Sequence, residues 1–197
     1  MTFIETVAAE EASGATAELY GAEEEAFGFL PNFVRAFSHR PEVYSAWKQL
    51  NGAVKGGMDL RRYELATLAA ARELRSSYCA LAHGSVLIDK GFLEPDALLA
   101  VVSGHRSAAL DEVDCAVIDL AAKVADDATA VEQADVDRLR ALGLSDRDIL
   151  NVVLAAAVRC FFSKVLDAVG AGPDQEYARL DPALRDALAV GRAVPAA

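Results

Sequence analysis

Glu64, Cys79 and His83 place a carboxylate, a thiol and an imidazole within one short window of this chain. Cys79 and His83 are spaced i, i+4, so on a helix they share one face. Ser76 is of a type that caps helix N-termini, which would put Cys79 at the third helical position. Free backbone N–H groups and the positive end of the helix dipole there favour a thiolate. An adjacent imidazole can take the thiol proton and hold it as imidazolium. No other stretch gathers as much chemistry.

The elements that must position these groups are helical. Asp59 is expected to cap a helix running to about Leu74, with Leu60, Leu65, Leu68 and Ala69 as its buried stripe and Glu64 close to it. A glutamate beside an apolar stripe needs a partner or a raised pKa. The next helix is expected from about Ser77 to Lys90-Gly91. Two helices joined this tightly form a hairpin that can return Glu64 toward His83. Upstream, Ala15 to Phe27 is helix-competent, its acidic run Glu23-Glu24-Glu25 reads as a solvated face, and Pro41 opens a helix with Val43, Tyr44, Trp47, Leu50 and Val54 on one stripe. Downstream, Pro95 to Gly104, Leu110 to Ala125 and a helix after a Thr129/Glu132 capping box lead to a long last core helix capped by Ser145. Ile149, Val153, Ala156, Ala157, Cys160, Phe161 and Val165 are expected to form its apolar face, and Gly170 its stop. Residues 1–15 read as an arm and 171–197 as a tail, helical at most over Pro182 to Ala189.

The window resembles the core of the alkylhydroperoxidase AhpD / carboxymuconolactone decarboxylase superfamily, whose redox-active members carry Glu and, a helix later, Cys-x-x-Cys-x-x-x-His. Glu64, Cys79 and His83 fall on the glutamate, the second cysteine and the histidine. Ser76 falls on the first cysteine and cannot form the disulfide that closes the usual cycle. Phe29-Leu30-Pro31-Asn32-Phe33 with His39-Arg40-Pro41 resembles the entry segment of the peroxidase-related branch. Leu139 to Gly170 resembles its closing segment. The resemblance implies an all-α, AhpD-like fold over residues 1–197 as one domain, core about 25–170, six to nine helices, assembled as a homo-oligomer with sites near subunit boundaries. It implies thiol peroxidase chemistry at Cys79 with a Glu64/His83 relay and no cofactor, an external thiol donor or Cys160 finishing the cycle. Ser76 could instead hydrogen-bond the thiolate or sulfenate. Two alternatives stay open. One is lyase or isomerase chemistry of the carboxymuconolactone decarboxylase type on an anionic lactone, with Arg62, Arg72 or Lys164 as basic pocket residues. The other is an oligomeric binding protein that has lost its redox pair.

Composition narrows the classes further. The chain has 197 residues, of which 53% are hydrophobic, and a net charge of −11. That charge argues against sequence-independent binding of nucleic acid or anionic membrane surfaces. Cys79, Cys115 and Cys160 are three widely spaced cysteines, which is no secreted disulfide framework. Met1 to Gly14 has no signal-peptide pattern and no run of about 18 uncharged apolar residues occurs, so a cytoplasmic location without a membrane span is the expectation. Cys115 reads as structural, and His39 and His105 as surface loop residues. Cys160 sits on the helix that the resemblance places near the site. Tyr78 either packs or lines the pocket. Glu64, Cys79 and His83 are all zinc-ligand types, but no second Cys or His nearby strengthens a metal site. No phosphate loop, dinucleotide fingerprint or serine elbow occurs.

Overall fold

The computed structural model describes residues 2–104 and 107–194. Ten α-helices and three short 3-10 turns account for its regular structure. In order the helices are α1 (Gly14–Phe27), α2 (Asn32–Arg35), α3 (Pro41–Lys55), α4 (Leu60–Glu73), α5 (Ser77–Asp89), α6 (Pro95–Val102), α7 (Glu112–Asp127), α8 (Gln133–Ala141), α9 (Asp146–Val169) and α10 (Pro182–Leu188). His105 lies outside the described residues.

Helix α4 is the axis of the fold. Every residue from Tyr63 to Ala71 is buried, not one stripe. The sequence permits this because Ala66, Ala69, Ala70 and Ala71 present almost no side chain, so α5, α7 and α9 can close on all sides. Asp59 caps α4 through Arg62 N at 3.1 Å. The turn into α5 is made by Arg75, a non-glycine residue in the left-handed region (φ 56°), with Ser76 N bonded back to Ala71 O at 2.9 Å. This tight return brings His83, in the second turn of α5, alongside Glu64 and Thr67 of α4.

Several boundaries differ from the sequence-based expectations. Ten helices exceed the expected six to nine; the tail helix expected from Pro182 is present as α10, and it is a packed element, with Leu184 and Leu188 buried against the core. Leu188 lies over Gly84, where an added Cβ would come within 2.8 Å of Leu188 Cδ1, so the α5 glycine makes room for the tail. The start of α8 is set by a reciprocal Glu132/Asp135 box; Thr129 instead belongs to a turn capped by Asp127. The buried face of α9 is rotated by about one residue from the expected one. Val152, Ala155, Ala156, Arg159, Phe162 and Ser163 point inward, while Phe161 is exposed. By length and composition α9 passes as a membrane span, yet half of its most apolar window is buried inside the fold. It packs there on α3, α4 and α7.

Leu188→Ala tests the role of the tail. Truncating a side chain this completely buried should cost about 2–5 kcal/mol in urea unfolding. A loss below about 1 kcal/mol would mean that α10 is peripheral to the cooperative unit.

Candidate functional site

The site forms where α3, α4, α5 and α9 meet. Helix α5 begins at Ser77 with Ser76 as its N-cap residue, so Cys79 stands at the third helical position. Ser76 is in extended backbone and fully buried, but its hydroxyl makes no capping hydrogen bond. Its neighbour is Asp167 of α9, whose carboxyl burial pushes up and Ser76 partly draws back. Helix capping at this end is therefore left to the backbone.

Glu64 and His83 are brought together. The imidazole Nδ1 lies 2.5 Å from Glu64 Oε2 and 3.1 Å from Thr67 Oγ1. The Thr67 hydroxyl is oriented by the Tyr63 carbonyl, one turn back, at 2.8 Å. The other carboxylate oxygen of Glu64 accepts from Lys55 Nζ at 3.3 Å. Glu64 is almost wholly buried, so this pairing is what keeps its charge in place: burial pushes the carboxyl up, while His83 and Lys55 together hold it below the ordinary value. His83 moves the other way. Burial, and then the Arg159 charge, push its imidazole below the ordinary value despite Glu64. The pair rests as a carboxylate and a neutral imidazole. With the carboxylate accepting at Nδ1, the proton sits there and Nε2 keeps a free lone pair. That tautomer is a base.

Cys79 is buried, and among the described residues its side-chain hydrogen-bond partner is Arg159, with Nη1 3.7 Å from Sγ. Burial works against the charge of Arg159, but Cys79 and then Tyr63 outweigh it and hold the guanidinium above the ordinary arginine value. The guanidinium lies over the Phe162 ring at 5.5 Å and the Trp47 ring at 5.9 Å. Tyr63 donates to Asn51 Oδ1 at 2.7 Å. Trp47, Asn51 and Lys55 recur at i, i+4, i+8 on α3, so a single stripe covers the site and touches Arg159, Tyr63 and Glu64 in turn.

The remaining candidates fall elsewhere. Tyr78 donates to Asp174 and accepts from Phe33 N at 3.1 Å, with its phenol pushed well above the ordinary range by burial. Its hydroxyl ties α2 to the segment after α9. Cys160 follows Arg159 and so projects about 100° around α9 from it. It is a free thiol, raised by burial, with no hydrogen bond to Cys79 among the described residues. The basic residues anticipated for a pocket do not reach the thiol. Arg62 pairs with Asp111 and Asp114, Arg72 donates to the carbonyls of Ala187 and Val102, and Lys164 is exposed. Arg159 and Lys55 take that place. Arg159 is the one charge between Asp148 and Lys164, within an otherwise apolar run, and that interruption was the available signal. Lys55, Trp47 and Thr67 had none beyond their helical register. Cys115 is half-buried on α7, and exposed His39 bonds the Glu5 carbonyl at 2.8 Å. No cluster of three metal-ligating side chains occurs among the described residues. A surface cleft of about 790 Å³ lies between α1 and α3 and is lined by neither Cys79, His83 nor Glu64. At the α3 side of the site the His83 side chain is 11% and that of Lys55 43% exposed.

Residues 41–103, from α3 through α6, match the Carboxymuconolactone decarboxylase family. No curated protein matches the chain. Among solved structures, the chain is similar to an alkylhydroperoxidase AhpD core, an uncharacterized peroxidase-related protein from Ralstonia eutropha JMP134. The identity is 22%, with 89% of this chain and 94% of that one covered and a TM-score of 0.78. An uncharacterized peroxidase-related protein from Silicibacter sp. TM1040 is 21% identical, over 90% and 91% of the two chains, with a TM-score of 0.72. A cysteine-to-alanine variant of the debrominase Bmp8, in complex with 2,3,4-tribromopyrrole, is 14% identical over 93% and 94%, with a TM-score of 0.71. The family pattern covers the helices that carry Glu64, Cys79 and His83, and the likeness over most of the remainder is one of fold: residues 41–103 carry the Carboxymuconolactone decarboxylase family pattern within an AhpD-like all-α fold.

Proposed function

We propose that the chain is a thiol-dependent, peroxidase-like oxidoreductase that reduces an organic hydroperoxide at Cys79. The observation that carries this reading is the convergence on one buried thiol side of a guanidinium, 3.7 Å from the sulfur, and a carboxylate-anchored imidazole base on the same helix. His83 Nε2 takes the thiol proton, and Arg159 offsets the negative charge left on sulfur. The thiolate attacks the terminal peroxide oxygen, an S–O bond forms as the O–O bond breaks, and Cys79 becomes a sulfenic acid. The proton held by His83 goes to the departing alkoxide. Ser76 cannot close a disulfide, and Cys160 faces elsewhere, so a small external thiol returns Cys79 to the reduced state. Brief peroxide treatment followed by a sulfenate trap and mass spectrometry should place the adduct on Cys79 and leave Cys115 and Cys160 unlabelled. A protein that stays unmodified at Cys79 would remove the reading.

A second reading is favoured by the two cations at the site. Arg159 and Lys55 suit an anionic substrate, and Glu64/His83 could then shuttle a proton in a lyase or isomerase reaction on a lactone. Cys79→Ser separates the two: proton-transfer chemistry should survive it and peroxide reduction should not. Since a debrominase shares the fold, a brominated pyrrole belongs in the same assay panel. A protein inert with peroxide, lactone and bromopyrrole would leave the binding-protein reading.

We also infer assembly with further copies of this chain. Leu150, Leu154, Ala157 and Phe161 are exposed on α9 at spacings of four, three and four, the pattern of a helix–helix seam. Light scattering at micromolar concentration should give a multiple of 20.9 kDa, and Leu154→Glu should lower it. A wild-type mass of one chain would contradict this.

A further inference from the structure

We propose that Arg159 Nε and Trp47 Nε1 form an oxyanion subsite beside the Cys79 sulfur, which receives the oxygen that departs when the thiolate cleaves a hydroperoxide. The inference rests on the thiol peroxidase reading above and adds a second function to Arg159 and a first one to Trp47.

The observation is a pair of unsatisfied donors on two side chains that pack together beside the nucleophile. Arg159 is 4% exposed, and Nη1 of its fork reaches Cys79 Sγ at 3.7 Å. Its Nε is buried and has no hydrogen-bond partner among the described residues. Trp47 Nε1 is buried and equally without one. The two side chains pack together, with the guanidinium 5.9 Å from the Trp47 ring centre. Trp47 and Phe162 stack at 3.9 Å, which fixes the indole plane beside Arg159. Buried donors almost always find an acceptor, and leaving two unmade in one place is costly to the fold. The cost is intelligible if the acceptor exists only during the reaction. Donors held in advance around developing negative charge, in a site with little water, stabilise a transition state more than a ground state.

The chemistry fits that arrangement. Cys79 S⁻ attacks the terminal oxygen of R–O–O–H, the sulfur loses two electrons and becomes S–OH, and R–O⁻ leaves with the electron pair of the broken O–O bond. Arg159 Nε and Trp47 Nε1 donate to that oxygen until the proton on His83 Nε2 reaches it and releases R–OH. Two molecules of a small thiol then reduce the sulfenic acid, forming one disulfide and one water. The Glu64–His83 pair handles the proton, Arg159 Nη1 the sulfur, and the orphan donors the leaving oxygen.

Trp47→Phe is the decisive variant, because it keeps an aromatic ring to stack on Phe162 and removes only the N–H. The rate of Cys79 sulfenate formation by cumene hydroperoxide, trapped with dimedone, is measured beside the rate of Cys79 alkylation by iodoacetamide, whose departing iodide needs no oxygen subsite. The expected result is a fall of about tenfold in the peroxide rate with alkylation within twofold of the wild type. Arg159→Lys, which keeps a cation and loses the Nε donor, should likewise lower the peroxide rate more than the alkylation rate. The proposal is overturned if Trp47→Phe leaves the peroxide rate within twofold, or if both rates fall in parallel, since Trp47 would then act only by packing. Wild-type protein that forms no sulfenate while still being alkylated at Cys79 would overturn the peroxidase reading itself, and the subsite with it. That outcome is visible before any variant is made.

Discussion

Glu64→Gln should slow peroxide oxidation of Cys79 by about 10²–10⁴-fold, and His83→Ala should do at least as much. The reason lies in the tautomer. As a carboxylate, Glu64 accepts from His83 Nδ1 at 2.5 Å and leaves Nε2 free to take a proton. A glutamine at 64 can offer Nδ1 an amide donor instead, which moves the imidazole proton to Nε2 and removes the base without emptying the site. It also leaves Lys55 without its counter-charge. The pH dependence carries a sign that distinguishes this arrangement from an ordinary surface histidine. Burial and Arg159 lower the His83 pKa, so the base stays unprotonated below the ordinary value of about 6.5, and the acid limb of the rate profile should lie beneath it. Stability shifts in the same direction. The unfolded chain takes up a proton at His83 near pH 6.5 before the folded chain does, so stability is full above that pH and is lost as pH falls through it. Glu64, also lowered, adds a second loss as pH falls below about 4.5 toward its folded value. An acid limb above pH 6.5, or Glu64→Gln protein with undiminished activity, would remove the relay.

The parts of the site legible in the sequence are those written at helical spacing. Cys79 and His83 share a face by arithmetic, and the capped start at Asp59 with the tight turn at Leu74 to Ser76 puts Glu64 within reach of them. The elements themselves were legible for the same reason, since Ala-rich periodic segments between Gly and Pro admit few readings. Arg159 was not legible as a site residue because the inward face of α9 is defined by contacts with α3 and α4, distant in sequence. A reading one residue out of register selected Cys160 and Phe161 in place of Arg159 and Phe162. The α3 stripe shows the complementary failure. Trp47 was recognised as apolar surface, but its indole N–H, Asn51 and Lys55 acquire meaning only when α3 lies over Tyr63 and Glu64. The tail helix at Pro182 was legible from its sequence, but its packing was not, because its burial depends on Gly84 on another helix.

Ser76→Cys should convert a site that accumulates sulfenic acid into one that closes a disulfide, and the burial of residue 76 should then make reduction of that bond slow. Positions 76 and 79 sit at the cap and third residue of α5, and side chains three residues apart on a helix stand about 5–6 Å apart, close enough to be joined after modest adjustment. On peroxide treatment the variant should therefore lose two mass units and no longer yield a trapped sulfenate, whereas the wild-type chain should trap and then overoxidise. Rebuilding the motif should not, however, bring full dithiol-dependent turnover. Ser76 is completely buried, and the tail covers its flank, with Gly191 N donating to Ser77 Oγ at 2.9 Å. Exchange requires an attacking thiolate to line up with the S–S bond, and the residue 76 side of that bond is closed by the tail. The expected result is a rapid first turnover and slow reduction after it. Leu188→Ala in the same background should speed that second phase by loosening α10 over α5. A Ser76→Cys protein that still traps as sulfenate would show that the two positions cannot be bridged. One that turns over as fast in its later cycles as in its first would show that the tail does not shield the site.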